Sequence, residues 1–292
     1  MAVVGAGLMG AQIGVEYALG GHDVALYARD VGRVTERVDA AWSLLSTHGL
    51  RTPAEIAESS SRVATATTPD GAARDADLIV ESLPEDLDLK STVLRAAVGA
   101  ARPEAVVASN TSSLSITHLG TAIGVAERTV GTHYLNPPLL MPPVEIVAGE
   151  ETSAGTVAFA HDTVAALGKR PILVRRDVPG FVWNRLQFAL VRECAWLVEN
   201  GVASPDDVDA VVREGLARRW RHVGPLRAIA LGGVETWNRS GRNIVPKLST
   251  ASDLPDLVEV AITDGDLDVD AAARDEALAG ELRRPRTTGE ES

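Results

Sequence analysis

The chain has 292 residues, of which 45% are apolar and 23% charged. That is enough for two ordinary domains with real cores, and it excludes disordered, collagenous and coiled-coil classes. Forty acids against 28 bases give a net charge of −12, which a phosphate backbone repels, so nucleic acid is excluded as an expected partner. The single cysteine, Cys194, allows no intrachain disulfide and no cysteine-based zinc cluster, and no metal site is expected. No apolar run reaches the length of a membrane span, and Met1 leads straight into a strand rather than a leader peptide. We therefore expect a cytoplasmic protein with no membrane partner.

In chain order, short apolar runs predict strands at 2–4, 23–27, 78–81, 106–109, 128–132 and 144–147. Amphipathic stretches such as 11–19 and 89–100 lie between them. Strands alternating with helices predict a doubly wound parallel sheet of Rossmann type. Beyond the break at Pro179-Gly180 the pattern is helical: 181–200, a start at Ser204-Pro205 with an N-cap serine and proline at the first helical position, another at Gly224-Pro225, then 254–262 and 271–282. We read a Rossmann-type domain over 1–177, an all-helical domain over 178–283, and a flexible tail over 284–292.

Gly5-Ala6-Gly7-Leu8-Met9-Gly10 follows the first strand and opens the first helix. The first glycine permits the tight turn, the second lets backbone approach a pyrophosphate, and the third lets helix and strand pack. The second strand closes as Leu26-Tyr27-Ala28-Arg29-Asp30. A carboxylate normally stands where Ala28 is, to hold a ribose 2′-hydroxyl, whereas Arg29 suits a 2′-phosphate. The cofactor is expected to be NAD(P)(H), with NADP(H) slightly favoured; Asp30 curling back onto a 2′-hydroxyl is the alternative.

Removing a proton from an alcohol during hydride transfer suits a histidine, and His133 sits just past an apolar strand beside Asn136-Pro137-Pro138. Glu145 follows a proline-rich reversal and could return to orient the imidazole.

Polar residues gather where strands end: Glu81-Ser82-Leu83-Pro84-Glu85, then Lys90, Ser109-Asn110-Thr111-Ser112-Ser113, Gly131-Thr132-His133-Tyr134, and Pro179-Gly180-Phe181-Val182-Trp183-Asn184-Arg185. With the glycine turn, these runs strongly resemble the 3-hydroxyacyl-CoA dehydrogenase family, from residue 1 to about 240. The resemblance implies that Ser112 and Asn184 bond the substrate oxygen, and that Glu85, Lys90 and Asn110 line the nicotinamide and its ribose. Leu83–Lys90, residues 136–145 and Glu214-Gly215-Leu216-Ala217-Arg218-Arg219-Trp220 look most like the lambda-crystallin / L-gulonate 3-dehydrogenase subgroup. There an arginine at the position of Arg219 is implied to clamp a free carboxylate in place of the CoA handle. Ala28 departs from that subgroup. Trp183, Trp220 and Trp237 leave two readings open, contact with an aromatic or cationic substrate and ordinary packing.

The expected protein is a homodimeric NAD(P)-dependent dehydrogenase or ketoreductase interconverting a 3-hydroxy acid and its 3-keto form, with His133 as general acid/base. Two alternatives stand beside it: a 3-hydroxyacyl-CoA thioester dehydrogenase, and a catalytically retired crystallin-like or nucleotide-binding protein.

Overall fold

The computed structural model describes residues 1–253 and 270–283. Its strands are β1 (Ala2–Val4), β2 (Val24–Tyr27), β3 (Val63–Ala66), β4 (Leu78–Glu81), β5 (Val106–Ser109), β6 (Thr129–Tyr134), β7 (Pro143–Ala148) and β8 (Arg170–Val174). They form one sheet in the order β3-β2-β1-β4-β5-β6-β7-β8. Every pairing is parallel except β6 with β7, which run antiparallel. The direction in which successive strands are added reverses between β1 and β4, the place where such sheets take their ligands.

Around the sheet lie α1 (Leu8–Leu19), α2 (Val31–Thr47), α3 (Pro53–Ser60), α4 (Pro69–Ala73), α5 (Leu87–Ala100), α6 (Ile116–Ile123) and α7 (Ala154–Ala166). One core layer joins Val3, Ile13, Leu26, Val80 and Ile146; the other joins Val4, Ile79, Leu94, Val107 and Leu119. Strands β1, β4 and β5 are buried at every position and, up to the closing Glu81 and Ser109, read as apolar runs. The two strands not predicted, β3 and β8, are the sheet edges. Their residues are mostly exposed or half-buried, and no clean hydrophobic pattern marks them.

The chain clusters into two compact units, Met1–Trp183 with the last described helix, and Asn184–Asp270. That last helix, Ala271–Leu282, was expected in the second domain. It belongs with the first unit, where Glu276 accepts a 2.7 Å bond from His48 Nδ1 and Arg283 donates to the His48 carbonyl.

In the second unit the helices are α8 (Trp183–Glu199, its first residue in the first unit), α9 (Pro205–Ala210), α10 (Arg218–Val223), α11 (Pro225–Gly232) and α12 (Val234–Ile244). Ser204 caps α9 by accepting from the Asp207 amide, and a π-helical stretch, Val211–Ala217, joins α9 to α10. The helix expected at 254–262 lies outside the described residues. Among the described residues no helix is long and apolar enough to cross a membrane.

Candidate active site

The glycine turn forms at the β1 end of the switch point. The amides of Gly5 and Ala6 both donate to the Tyr27 carbonyl, which ties the turn to β2. Gly5 has φ +102°, and a Cβ there would stand 2.5 Å from the Ser82 carbonyl oxygen. Gly7 is different: a Cβ would meet nothing within 4 Å, so the turn presents open backbone on that side. Gly7 is also the N-cap of α1, which has no side-chain cap and no acid in its first turn. Uncapped amides, a positive helix end and open space over Gly7 fit a dinucleotide pyrophosphate. Leu8 and Met9 flank this surface, Leu8 being exposed. Arg37 Nη1 donates to the Ala6 carbonyl and braces the turn from α2.

At the β2 end, Ala28 is half-buried and Arg29 exposed. Asp30 is the N-cap of α2: its carboxylate accepts from the Arg33 amide and lies 3.5 Å from Arg33 Nε.

The next group is a carboxylate platform at the ends of β4 and β5. Glu81, fully buried, accepts from the Ser109 hydroxyl, the Leu83 amide and Lys90 Nζ (2.7 Å). Burial pushes its carboxyl upward, against the pull of the Lys90 ammonium. Lys90, 1% exposed, also donates to the Leu83 carbonyl and lies 3.1 Å from Glu85 Oε2. Glu85 in turn accepts from the Thr111 hydroxyl, from the amide and hydroxyl of Ser112, and from the Ser113 amide. Partial burial raises the Glu85 carboxyl, but Lys90 and these donors outweigh it and bring it down to about 2. Asn110 spans the same strand ends: its Oδ1 accepts from the Tyr134 amide at 2.8 Å, and its Nδ2 reaches Ser82 Oγ at 3.5 Å. Glu85, Lys90 and Ser112 therefore meet in one hydrogen-bonded platform, with Asn110 bonded separately to Tyr134 and Ser82. Lys90 lies within it, beneath Glu85, instead of offering its charge at the surface.

His133 and Glu145 stand directly opposite each other in the antiparallel β6–β7 pair. Both are buried, and His133 Nδ1 meets Glu145 Oε2 at 2.7 Å. The other oxygen, Oε1, accepts from the backbone amides of Val182 and Trp183, each at 2.9 Å. Phe181, 1% exposed, places its ring edge-on to the imidazole, with centroids 5.7 Å apart. It does so from a left-handed backbone, φ +49°, directly after Gly180 at φ +77°. A bulky residue in that region is strained and persists only where its surroundings hold it.

Asn184 is the second residue of α8, and Arg219 is exposed in the first turn of α10, just after the π-helical stretch. Both belong to the second unit. Two functional features carry no role in the sequence reading. Glu81 could have been found as the one charged residue closing an all-apolar strand. Nothing in the string marks Phe181, because its part rests on a backbone angle.

A parallel sheet with a glycine turn at its switch point, and a histidine–carboxylate pair on the same sheet, define the class of nicotinamide-dependent oxidoreductases. Comparison narrows this. Residues 1–178 match the family model for the 3-hydroxyacyl-CoA dehydrogenase NAD-binding domain, and 180–274 the model for the C-terminal domain of the same family. L-carnitine dehydrogenase from Streptomyces coelicolor is 38% identical over 238 residues, 80% of this chain and 74% of that protein. Rabbit (Oryctolagus cuniculus) lambda-crystallin is 32% identical over 233 residues, 78% and 73% respectively. Among solved structures, 5-formyl-3-hydroxy-2-methylpyridine 4-carboxylic acid 5-dehydrogenase, described as an NAD+-dependent dismutase, superposes with a TM-score of 0.85. It is 30% identical and the match covers 97% of this chain and 96% of that one. The chain belongs to the 3-hydroxyacyl-CoA dehydrogenase family and is an NAD-dependent oxidoreductase of that type.

Proposed function

We propose that the protein interconverts a free 3-hydroxy acid and its 3-keto form. The observation that carries this is the buried His133–Glu145 pair, with Nδ1 committed to the carboxylate and Nε2 left as the working nitrogen. When bound, the cofactor supplies the hydride acceptor for oxidation and the hydride donor for reduction. In oxidation His133 Nε2 takes the hydroxyl proton, and Glu145 holds the ring and stabilises the imidazolium. In reduction His133 returns the proton. Ser112 and Asn184 polarise the substrate oxygen, and Lys90 acts through Glu85, whose charge it fixes beside the Ser112 loop.

The first unit binds the cofactor; the second supplies Asn184 and the Arg219 guanidinium for a substrate carboxylate. A free acid is favoured because one similar solved structure is named for a pyridine carboxylic acid, although others are named as 3-hydroxybutyryl-CoA dehydrogenases. A CoA thioester is the second reading, favoured by the family description. NADP(H) over NAD(H) is the finer assignment for the cofactor. Asp30 is spent on capping α2, Ala28 offers no carboxylate, and Arg29 stands exposed beside them.

The helical unit is also the surface for a second copy of the chain. Among residues 184–253 only Ala195, Val208, Ala228 and Ser249 are buried.

One set of assays tests the reading: titration with NADH and NADPH, then oxidation of the better cofactor by acetoacetyl-CoA and by a panel of free 3-keto acids. Expected are tighter NADPH binding, turnover of free acids, and a loss of about 10²–10⁴-fold in kcat for His133→Gln with cofactor affinity intact. Near-normal kcat in that variant overturns the base. Turnover of the CoA ester alone replaces the substrate assignment with the second reading.

A further inference from the structure

We propose that the backbone at the start of α8 is part of the acid–base apparatus, and that Phe181 and the Trp183 amide are positioning elements for it. The inference rests on the reading of His133 as base. Glu145 has two oxygens and two separate duties. Oε2 meets His133 Nδ1, while Oε1 is the acceptor for the Val182 and Trp183 amides. These are among the amides at the opening of a helix, and the carboxylate satisfies them. One buried anion is thus shared between a ring that gains positive charge during oxidation and a helix end that carries partial positive charge at all times.

The consequence is mechanical as well as electrostatic. A carboxylate bonded on both oxygens cannot rotate about its last torsion without losing a partner, so the α8 amides set the direction from which Glu145 addresses the imidazole. The turn that delivers those amides is built around Gly180 and Phe181, both left-handed. Phe181 is held there by a bond from its amide to the Val178 carbonyl and by packing with Ile116, Val147 and Val174. Its ring closes the side of the imidazole. The same residues that lead the chain out of the sheet therefore fix the base.

Trp183→Pro separates this from a purely structural role. Proline suits the first position of a helix, and at 183 it removes the N–H that Glu145 Oε1 accepts. The reference is Trp183→Ala, which loses the indole and keeps the N–H. Relative to that reference, Trp183→Pro is expected to lower kcat about tenfold, part of what a general base contributes. Substrate KM and NADH affinity should stay level between the two variants, and the proton resonance of the His133 Nδ1–Glu145 bond should move in the proline variant. Equal kcat and an unmoved resonance in both overturn the proposal. Phe181→Leu, which keeps bulk, gives a second reading with the same split between kcat and KM; an unchanged kcat there removes Phe181. His133→Gln is assayed alongside: if it keeps its turnover the base reading fails, and if it is inactive while the proline and alanine variants agree, only the positioning proposal fails.

Discussion

Glu85 shows how a single carboxylate can organise a site. It gathers donors from Thr111, Ser112 and Ser113 and faces the Lys90 ammonium, so the Ser112 loop is shaped around a fixed negative charge. Its carboxyl, at about 2 in the folded chain against an ordinary value of 4.5, ties stability to pH. A depressed folded value means that the contribution is present above the unfolded value and is lost as pH falls. The window is therefore from about 4.5 down to about 2. Urea unfolding across it should show the parent losing stability more steeply than Glu85→Gln, which has no charge to protonate; parallel curves would mean the network does not depend on the ionised form. With a third of the side chain exposed, solvent screening moderates the effect. Residue types alone could point to His133, because acid–base chemistry uses few side chains, whereas Glu85 and Ser112 came from the family resemblance. They could not reveal that Lys90 is buried, since a lysine in an amphipathic helix reads as solvated, nor that Glu145 also caps a helix, since that bond comes from backbone 37 residues further on.

At the scale of elements, legibility followed burial. Strands β1, β4 and β5, covered on both faces, declare themselves as apolar runs, and the glycine turn joins one of them to α1. The edges β3 and β8 face solvent and leave no pattern. The reversal that makes β6 and β7 antiparallel was partly legible in the prolines between them, but the exact opposition of His133 and Glu145 is a matter of register. Helix α1 offers an element-level test. Gly10 and Gly14 both lie on it, and a Cβ at Gly10 would strike the Gly5 carbonyl, backbone already pressed against Ser82. At Gly14 a Cβ would meet side chains rather than backbone, the end of Leu26 at 2.6 Å and Val24 Cγ1 at 3.5 Å. Gly10→Ala is therefore expected to cost about 1–3 kcal/mol and to abolish NADH binding, because helix and turn must separate. Gly14→Ala, with the helix propensity of alanine worth roughly 0.5–1 kcal/mol in its favour, should leave both nearly unchanged. Thermal unfolding and a fluorescence titration read the two; similar behaviour in the pair would mean that the turn is not rigid.

At the scale of the whole molecule, the two units are built on different terms. The sheet unit buries its own core, whereas residues 184–253 bury two alanines, one valine and one serine while Leu226, Leu231, Val211 and Val245 are between 64% and 80% exposed. Apolar side chains displayed in this density fit the proposed contact with a second copy of the chain. The exposure itself supplies the test. In a lone chain, Leu226→Glu with Leu231→Glu replaces two solvated leucines and should leave stability alone or improve it. In a dimer the same pair buries charge at the contact and drives the chains apart. We expect sedimentation equilibrium to find a dimer for the parent and a monomer for the double variant, with a melting temperature that rises with concentration only in the parent. A parent that sediments as a monomer throughout, with the double variant equally stable, would remove the second copy and leave the exposed leucines for a different partner.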